Sequence, residues 1–510
     1  MSSEGKPPQP NSSRRDRAVQ RWLGATLLLA YGYFFFAGGN DNVTIRLALV
    51  HAIVETGRLE VDRFIDPNLI DKAEFKGHFY CDKAIGASLL AVPVAWGVWH
   101  AATMAGVQPQ WVETPRGLRR IDPRRLYVRY FASLFVVAVP TVLACLLLYR
   151  FLADFDADAT RRLWTTLGYG LGTCAWIYST WFFGHQLAAS LAFAAFYLIY
   201  RMRRDGFHAA GLFLSGLAAG YSFLSDYPCA VVVVMLGLYA LDGVRRQTPG
   251  QQTTRPQDRR PQDHEATPIR PVVGGRWSVV SGRLALYVLG AALPVLILMG
   301  YNWACFGNPL DTGYKHEFNP YFREQMARGF MGIHLPKLEA FYGITLSPRR
   351  GLFFSSPFLL FGFAGWLALW RGGWRAEALV CAIVVGTFLL INSSYYLWWG
   401  GAVYGPRFLV PCLPFLAFPV IFALRLWALP VKLLMVFSMG VQCVVVLTSP
   451  NMPEHLSNPL GESLRRLAHG ETNSNLMTFF NVEGGTAWLP FAAGMLLCLL
   501  GLYRCVKRET

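Results

Sequence analysis

Long apolar runs, separated by short connectors rich in Lys and Arg, are the feature that most constrains this sequence. A helix needs about 20 predominantly apolar residues to cross the hydrocarbon core of a bilayer. Lipid leaves only helices and closed barrels as spanning structures, and apolar runs of this length indicate helices. The runs therefore predict an all-α polytopic membrane protein with about 12–13 transmembrane helices. The candidate segments are 19–38, 85–105, 127–150, 163–183, 186–203, 209–225, 228–244, 283–303, 352–371, 376–392, 408–427, 430–449 and 486–503.

The charge balance supports the same class. Charged residues make up 15% of the chain, against about 25% in soluble proteins, and a hydrophobic content of 54% excludes intrinsic disorder. The net charge of +16 comes largely from clusters at the ends of apolar runs, such as Arg201, Arg203 and Arg204. Cytoplasmic loops carry such an excess. We therefore expect no nucleic-acid partner, and we place both basic termini in the cytoplasm.

Thirteen crossings cannot return a chain to its starting side, so one candidate is re-entrant, interfacial or miscounted. Counting back from a cytoplasmic C-terminus places 304–351, 393–407 and 450–485 outside and 245–282 inside. The side of the membrane on which the connector before residue 126 lies stays open, because its arginines favour the inside and the count of crossings favours the outside.

The domain organisation follows from these runs. A basic cytoplasmic N-terminus, 1–18, precedes a single membrane domain, 19–510. The first outside loop, 39–84, carries Val43, Leu47, Val50 and Val54 at helical spacing, which predicts a helix in the membrane interface. The inside loop 245–282 is rich in Arg, Gln, Pro and Thr, a composition typical of flexible segments.

Ten cysteines carry little information. Cys81 and Cys305 flank outside loops and could form a disulfide, although no spacing requires it. No CxxC or Cys/His metal pattern occurs. A divalent metal is compatible with the sequence but not indicated by it, and no cofactor is required.

The first polar cluster follows the first apolar run as Gly-Gly-Asn-Asp-Asn, 38–42. A carboxylate fixed at the interface suits a general base, which makes Asp41 a candidate catalytic residue. From spacing alone, Asp41 is also a plausible cap of the following helix, since Asp is a preferred capping residue.

Two further clusters lie at predicted outside boundaries. Asp82 and Lys83 precede an apolar run, where Lys83 suits a lipid phosphate or simply snorkels at a helix end. The loop 304–351 holds Tyr314 and ends with Arg349 and Arg350. These arginines contradict the positive-inside bias. They indicate an anionic ligand or a structural turn that meets lipid headgroups.

The fourth cluster is Trp-Trp-Gly-Gly-Ala-Val-Tyr-Gly-Pro-Arg, from Trp398 through Tyr404 to Arg407. Tryptophan and tyrosine are common at the membrane interface. Glycines beside aromatic faces also suit a sugar ring, so Trp398 and Trp399 are candidate pocket residues. His185 and Asp226 stand at two predicted outside turns, where each is either structural or part of the same site.

These clusters, in this order, resemble the GT-C superfamily of integral membrane glycosyltransferases. The likeness is to bacterial members related to the dolichyl-phosphate-mannose–protein mannosyltransferases and to the lipid A aminoarabinose transferase. It covers most of the chain. Related bacterial sequences often read Ser-Asp-Lys-Ala-Pro-Gly where this chain has Cys-Asp-Lys-Ala-Ile-Gly, 81–86, so the charged pair is kept while its flanks differ.

The resemblance implies a GT-C-like fold and transfer of a sugar from a polyprenyl-phosphate donor, usually with inversion, outside the cytoplasmic membrane. Asp41 would be the base that deprotonates the acceptor hydroxyl. The implied partners are the lipid-linked donor, membrane lipids and a glycan, lipid or protein acceptor. The residues expected at the donor phosphate are Lys83, Arg129, Arg349 and Arg407. The residues expected in the substrate pocket are Asp82, His185, Asp226, Tyr314, Trp398, Trp399 and Tyr404.

Two other classes remain open at this stage. An O-antigen ligase or polymerase also uses polyprenyl-linked sugars at the outer face, but such enzymes carry their key arginines in a large late loop. A transporter or flippase of lipid-linked sugars often shows inverted repeats, and the sequence has none that we can detect. The early Asp41 favours the glycosyltransferase.

Overall fold

The computed structural model describes residues 10–114, 117–247, 273–482 and 484–507. The central part of the predicted inside loop, 248–272, lies outside the described residues. Almost all regular structure is helical. The α-helices are α1 Pro10–Tyr33, α2 Asp41–Thr56, α3 Gly86–Met104, α4 Pro123–Ala132, α5 Val139–Leu152, α6 Ala159–Gly172, α7 Cys174–Ser179, α8 Gly184–Asp205, α9 Ala209–Ser225, α10 Ala230–Gln247, α11 Val273–Phe306, α12 Pro320–Ala327, α13 Leu338–Thr345, α14 Leu352–Ser355, α15 Phe361–Arg371, α16 Arg375–Ser394, α17 Leu413–Ala417, α18 Val420–Leu426, α19 Ala428–Thr448, α20 Pro459–Ala468 and α21 Leu489–Lys507.

Two short antiparallel hairpins interrupt the helices. Strands β1, Ala73–Phe75, and β2, His78–Tyr80, pair within the first loop. Strands β3, Gln110–Thr114, and β4, Gly117–Ile121, pair between α3 and α4. A π-helical segment, Ser133–Ala138, joins α4 to α5 into one long helix. The all-α prediction therefore holds for the membrane domain, with hairpins confined to connectors.

Every predicted apolar segment is helical, and the segment 209–225 coincides with α9. Several are broken: α6 and α7 divide at Thr173, and the helices around 407–426 are bent by 51°. Among the described residues, seven helices are long and apolar enough to cross a membrane, or eight if the bent pair is one span. By length and composition alone, this count is lower than the predicted 12–13.

The outer surface of the helices identifies an integral membrane protein. On α11, α19 and α21 large apolar side chains are more than half exposed, including Leu296, Leu433 and Leu496. Contiguous exposed apolar surface of this kind is rare on soluble monomers, whereas lipid accommodates it. Interior positions are filled by aromatic residues such as Trp181, which is fully buried.

One end of the helix bundle, the basic end, gathers both termini. Arg15 donates to the carbonyl oxygens of Cys505 and Val506, each over 2.8 Å. Asp154 forms ion pairs with Arg201 and Arg204 at the same end. The two termini therefore lie on one side of the bundle, as the positions of their basic residues predicted.

The opposite end, the site end, holds the connectors that carry the candidate residues. The α3 helix starts and finishes there. The Gly86 carbonyl at its start accepts from Tyr221 in the last turns of α9, and Thr103 at its end accepts from Arg124 in the first turn of α4. An α-helix of 19 residues is ~28 Å long, so α3 lies across the site end although its composition would allow it to span.

This geometry answers the question that the count of crossings left open. Among the candidate segments, α3 is therefore one that does not run from one end of the bundle to the other. The connector between α3 and α4 then lies on the same side as loop 39–84, as the count favoured and its arginines did not. The first loop also contains the predicted interfacial helix, α2, which packs beside α3.

Candidate active site

Three polar segments that are far apart in sequence meet at the site end. Asn40 Nδ2 donates to the Ala402 carbonyl over 3.4 Å and to Asn451 Oδ1 over 3.3 Å. These bonds join the segment before Asp41 to the Trp-Gly loop and to the last outside loop. Because each segment ends or begins a helix, the bundle fixes their mutual positions.

Asp41 is the first residue of α2, and its side chain is half-buried. The N-cap is Asn40, and Asp41 Oδ2 instead accepts from the Ile70 backbone amide over 3.2 Å. The alternative role of Asp41 as the helix cap is therefore wrong. Burial raises the pKa of the Asp41 carboxyl, and the Asp71 charge adds to this, while the Ile70 amide and the Lys83 charge oppose it.

Lys83 is buried among three carboxyl groups. Its Nζ forms an ion pair with Asp82 and lies 3.4 Å from Asp71 Oδ1 and 3.8 Å from Glu317 Oε1. Burial opposes the charge of Lys83, but the Asp71 and Asp82 carboxylates raise its pKa well above the usual value. From the sequence, Lys83 was either a ligand for a lipid phosphate or a snorkelling lysine at a helix end; in the structure its charge is already compensated by Asp71 and Asp82.

Glu317 was not identified from the sequence. It lies in the 304–351 loop with 2% of its surface exposed. Burial and the adjacent Asp82 carboxylate raise the pKa of Glu317 to about 10, so it is protonated at neutral pH. A lone glutamate in a long loop gives no periodic or motif signal, which explains why only the folded chain reveals it.

Gly313 brings this loop against the Asp82–Lys83 pair. A Cβ on Gly313 would lie 2.5 Å from Asp82 Cα, so no larger residue fits. The next residue, Tyr314, places its ring centroid 5.5 Å from Lys83 Nζ. Tyr314 also meets Tyr227 edge to face, with centroids 5.8 Å apart. Tyr314 thus lies beside the polar group, where the resemblance placed it.

Arg46 is the second residue that sequence reasoning missed, because it lies off the apolar spacing of Val43 and Leu47 that predicts the interfacial helix. It is 3% exposed, its Nε donates to Asn42 Oδ1 over 3.1 Å, and its Nη1 donates to the Ala84 carbonyl. Within the described residues, no carboxylate lies within ion-pair distance of Arg46. Its positive charge is therefore buried without a counter-charge.

His185 and Asp226 form a buried pair. His185 Nδ1 lies 2.6 Å from Asp226 Oδ2, with exposures of 5% and 6%. The two meet because the start of α8 touches the end of α9: a Cβ on Gly184 would lie 2.2 Å from the Ser225 carbonyl oxygen. Neither residue caps a helix with its side chain.

Arg407 lies beside this pair and is 9% exposed. Its guanidinium carbon is 4.7 Å from the Phe408 centroid and 5.6 Å from the Phe183 centroid, and both rings also contact His185. Arg407 Nε has no hydrogen-bond partner, and no carboxylate lies within 4.0 Å of the guanidinium in the described chain. Arg407 thus resembles Arg46 in carrying an uncompensated charge.

Arg349 and its neighbours form the rim of the site. The Arg349 guanidinium lies 5.5 Å from the ring centroids of both Trp398 and Trp399 and donates to the Glu454 carbonyl over 2.7 Å. The Trp399 indole donates to Glu454 Oε2 over 2.8 Å. Arg349 Nε is buried without a hydrogen-bond partner, so this side chain retains donor capacity.

Arg129 and Tyr404 take part in hydrogen bonds with backbone carbonyls. Arg129 Nη1 donates to the carbonyls of Ala37 and Gly38, each over 2.7 Å, and so fixes the segment that leads to Asp41. Tyr404 is buried in the helical interior, where its carbonyl accepts from the Tyr178 hydroxyl over 3.0 Å. Arg129 is placed to position Asp41, and Tyr404 to shape the core behind the site.

The arrangement of acidic residues and cysteines bears on a metal site and on a disulfide. Across the described ranges, no group of three or more His, Cys, Asp or Glu side chains has an arrangement that could hold a metal ion. Cys81 and Cys305 are both free thiols buried in the same apolar cluster.

Comparison with known proteins gives matches in shape alone. No protein-family model matches the sequence, and no curated protein matches it. The crystal structure of ArnT from Cupriavidus metallidurans in the apo state is 15% identical, with a TM-score of 0.44, over 95% of this chain and 75% of that chain. The structure of ArnT bound to undecaprenyl phosphate is 13% identical, with a TM-score of 0.43, over 98% of this chain and 76% of that chain.

Proposed function

We propose that this chain is a GT-C-type membrane glycosyltransferase of the cytoplasmic membrane. It moves a sugar from a polyprenyl-phosphate donor to an acceptor hydroxyl at the outer face, with Asp41 as general base. The site end would then face the periplasm or the exterior, because the basic end carries the excess of arginine typical of cytoplasmic loops.

The observation that carries the proposal is the set of buried arginines without carboxylate partners. Arg46 and Arg407 are each at least nine-tenths buried, and an isolated buried charge is costly unless a counter-ion is present. Arg349 at the rim adds a third guanidinium with an unused donor. An anionic ligand that enters the site removes this cost, and guanidinium groups match the geometry of phosphate.

The position of these arginines favours a lipid-linked phosphate. They lie at the boundary between apolar helices and polar connectors, where the phosphate of a polyprenyl lipid is found while its tail remains in the hydrocarbon. Lys83 is a poorer phosphate ligand, because the carboxylates of Asp71 and Asp82 already lie beside it. We therefore assign the donor phosphate to Arg46, Arg407 and Arg349 and the role of a structural cation to Lys83.

The reaction follows from this placement. Asp41 takes the proton of the acceptor hydroxyl while its oxygen attacks the anomeric carbon of the sugar. The bond between that carbon and the phosphate oxygen breaks, and the electron pair leaves with the polyprenyl phosphate. Fixed guanidinium groups stabilise the charge that develops on the leaving oxygen. A single displacement of this kind inverts the anomeric configuration.

Donor binding and cleavage test the proposal together. We expect the purified protein to bind undecaprenyl phosphate and to release it from an undecaprenyl-phosphate-linked sugar. Arg407→Met and Arg46→Met should each weaken undecaprenyl phosphate binding by about tenfold or more, since a lost hydrogen bond to a charged group is worth about 1.5–3 kcal/mol. Arg425→Met is the control, because Arg425 pairs with Asp156 at the basic end.

The outcomes separate the classes. Binding that depends on Arg46 and Arg407 together with release of undecaprenyl phosphate supports the glycosyltransferase. Binding and transport of an intact lipid-linked sugar, without cleavage, would identify a transporter. Equal losses in the Arg407 and Arg425 variants would contradict the assignment of the phosphate site.

A further inference from the structure

The His185–Asp226 pair has a chemical property that the proposed mechanism does not use. Asp226 Oδ2 accepts from His185 Nδ1 over 2.6 Å, and a carboxylate in this position holds the ring proton on Nδ1. Burial lowers the pKa of His185 and so favours a neutral imidazole, and the nearby charges of Arg407 and Arg46 act in the same direction, while the Asp226 carboxylate opposes them. Nε2 is then a hydrogen-bond acceptor, because a neutral imidazole donates from one nitrogen and accepts at the other.

No side chain of the described chain donates a hydrogen bond to Nε2. The ring lies against Phe183 at 5.8 Å and Phe408 at 5.6 Å between centroids. The nearby Tyr178 hydroxyl already donates to the Tyr404 carbonyl over 3.0 Å. His185 makes its one hydrogen bond among these residues through Nδ1, which leaves Nε2 available.

Arg46 and Arg407 are the other polar groups beside the ring, and guanidinium groups only donate. The corner of the site therefore combines cationic donors with one neutral acceptor. A ligand that satisfies both carries an anion next to a hydroxyl. A sugar linked through its anomeric carbon to phosphate has this pattern, since its C2 hydroxyl is on the adjacent carbon.

We propose that His185 Nε2 accepts a hydrogen bond from the C2 hydroxyl of the donor sugar and so selects donors that carry this hydroxyl. Asp226 is a positioning residue that fixes the tautomer of His185. The inference rests on the proposed function and adds a specificity determinant to the same site.

The acceptor hydroxyl is a less suitable ligand for His185. Asp41, the proposed base, lies in the field of Asp71 and Lys83, whereas the charged groups around His185 are Asp226, Arg46 and Arg407. The two groups thus occupy different parts of the site. This arrangement places the acceptor by Asp41 and the donor sugar by His185.

Donors with and without the hydroxyl test the inference. Undecaprenyl-phosphate mannose and glucose share a single 2-deoxy counterpart, so three probes cover both orientations of the C2 hydroxyl. The measured quantity is kcat/KM for release of undecaprenyl phosphate, expressed as the ratio of the better hydroxylated donor to the deoxy donor. Comparing this ratio between variants removes the intrinsic reactivity of the deoxy sugar.

We expect the wild-type ratio to exceed the His185→Phe ratio about ten- to a hundredfold, because a site built around a substrate hydroxyl discriminates strongly against its absence. Asp226→Asn should lower the ratio in the same direction, since an amide can donate to Nδ1 and reverse the tautomer. The matched control is His51→Gln, which alters a buried His–Glu pair on α2, 2.9 Å apart, and should leave the ratio unchanged.

The outcomes distinguish two failures. If His185→Phe and Asp226→Asn lose activity equally with all three donors, the pair only joins α8 to α9 and the inference is overturned while the glycosyltransferase stands. If His185→Phe does not fold, Asp226→Asn and His185→Gln decide by the same ratio. If the wild type releases undecaprenyl phosphate from none of the donors, the proposed function fails and the inference fails with it.

Discussion

Arg350 Nε donates a hydrogen bond to the Trp399 carbonyl oxygen over 2.9 Å. The same guanidinium donates to the carbonyls of Gly401, over 3.0 Å, and Arg349, over 2.9 Å. Arg350 is 1% exposed, and burial lowers its pKa to about 10. It holds the Trp-Gly loop against the end of the 304–351 loop, while its neighbour Arg349 faces the tryptophan rings.

The two adjacent arginines should therefore give different phenotypes. Arg350→Met removes three hydrogen bonds to backbone carbonyls, so it should lower the free energy of unfolding by about 3 kcal/mol or more. Arg349→Met loses one hydrogen bond and should cost about 1 kcal/mol, yet weaken undecaprenyl phosphate binding about tenfold. Thermal unfolding in detergent and lipid binding measure the two effects. Equal melting temperatures for both variants would contradict the structural role of Arg350.

Glu317 should make stability depend on pH. Its pKa is raised to about 10 in the folded protein, whereas an unfolded glutamate titrates near 4.3. The folded state thus holds a proton that the unfolded state releases, and stability should fall as pH rises through this window. The limiting slope for one proton is about 1.4 kcal/mol per pH unit.

Glu317→Gln should remove this dependence, because an amide cannot titrate. Melting temperatures between pH 5 and pH 9 should therefore fall less steeply in Glu317→Gln than in the wild type. Glu462→Gln is the control, since its arginine neighbours lower the Glu462 pKa to about 2, outside that range. Parallel slopes for the wild type and Glu317→Gln would show that Glu317 is ionised in the folded protein.

Asp41 should set the acid limb of the pH–rate profile. Because burial raises the pKa of Asp41, kcat/KM should begin to fall at a pH above the ordinary range of aspartate and drop tenfold per pH unit below it. Asp71→Asn removes a charge that raises this pKa, so the limb should move to lower pH. Asp62→Asn, on the exposed part of the same loop, should not move it. An unshifted limb in Asp71→Asn would mean that another group is the base.

Hydropathy predicts most of the helices, but it does not predict the direction of helix α3. Helix α9 coincides with the predicted segment 209–225 because an apolar run of that length has few other ways to satisfy its backbone in lipid. Helix α3 has the same composition but lies across the site end. Contacts with Tyr221 and Arg124 decide its direction, and no pattern within 85–105 encodes those contacts.

The site was predictable as a set of segments but less so as chemistry. Charged residues at outside boundaries located Asp41, Lys83 and Arg407. The sequence could not show that Glu317 lies beside Lys83, because Glu317 lies 234 positions further along the chain. It also could not show that Arg46 faces inward, since a helix in the interface has no fixed polar face until its neighbours are known.

Sugar transfer by the Asp41→Asn variant is the most direct test of the claim that Asp41 is the general base. The measurement is the rate of transfer of labelled sugar from an undecaprenyl-phosphate-linked donor by purified wild type and variant, with melting temperature and undecaprenyl phosphate affinity measured on the same samples. We predict that Asp41→Asn retains both properties and loses about 10²- to 10⁴-fold in kcat, the contribution typical of a general base. Near-wild-type transfer by Asp41→Asn would contradict the account.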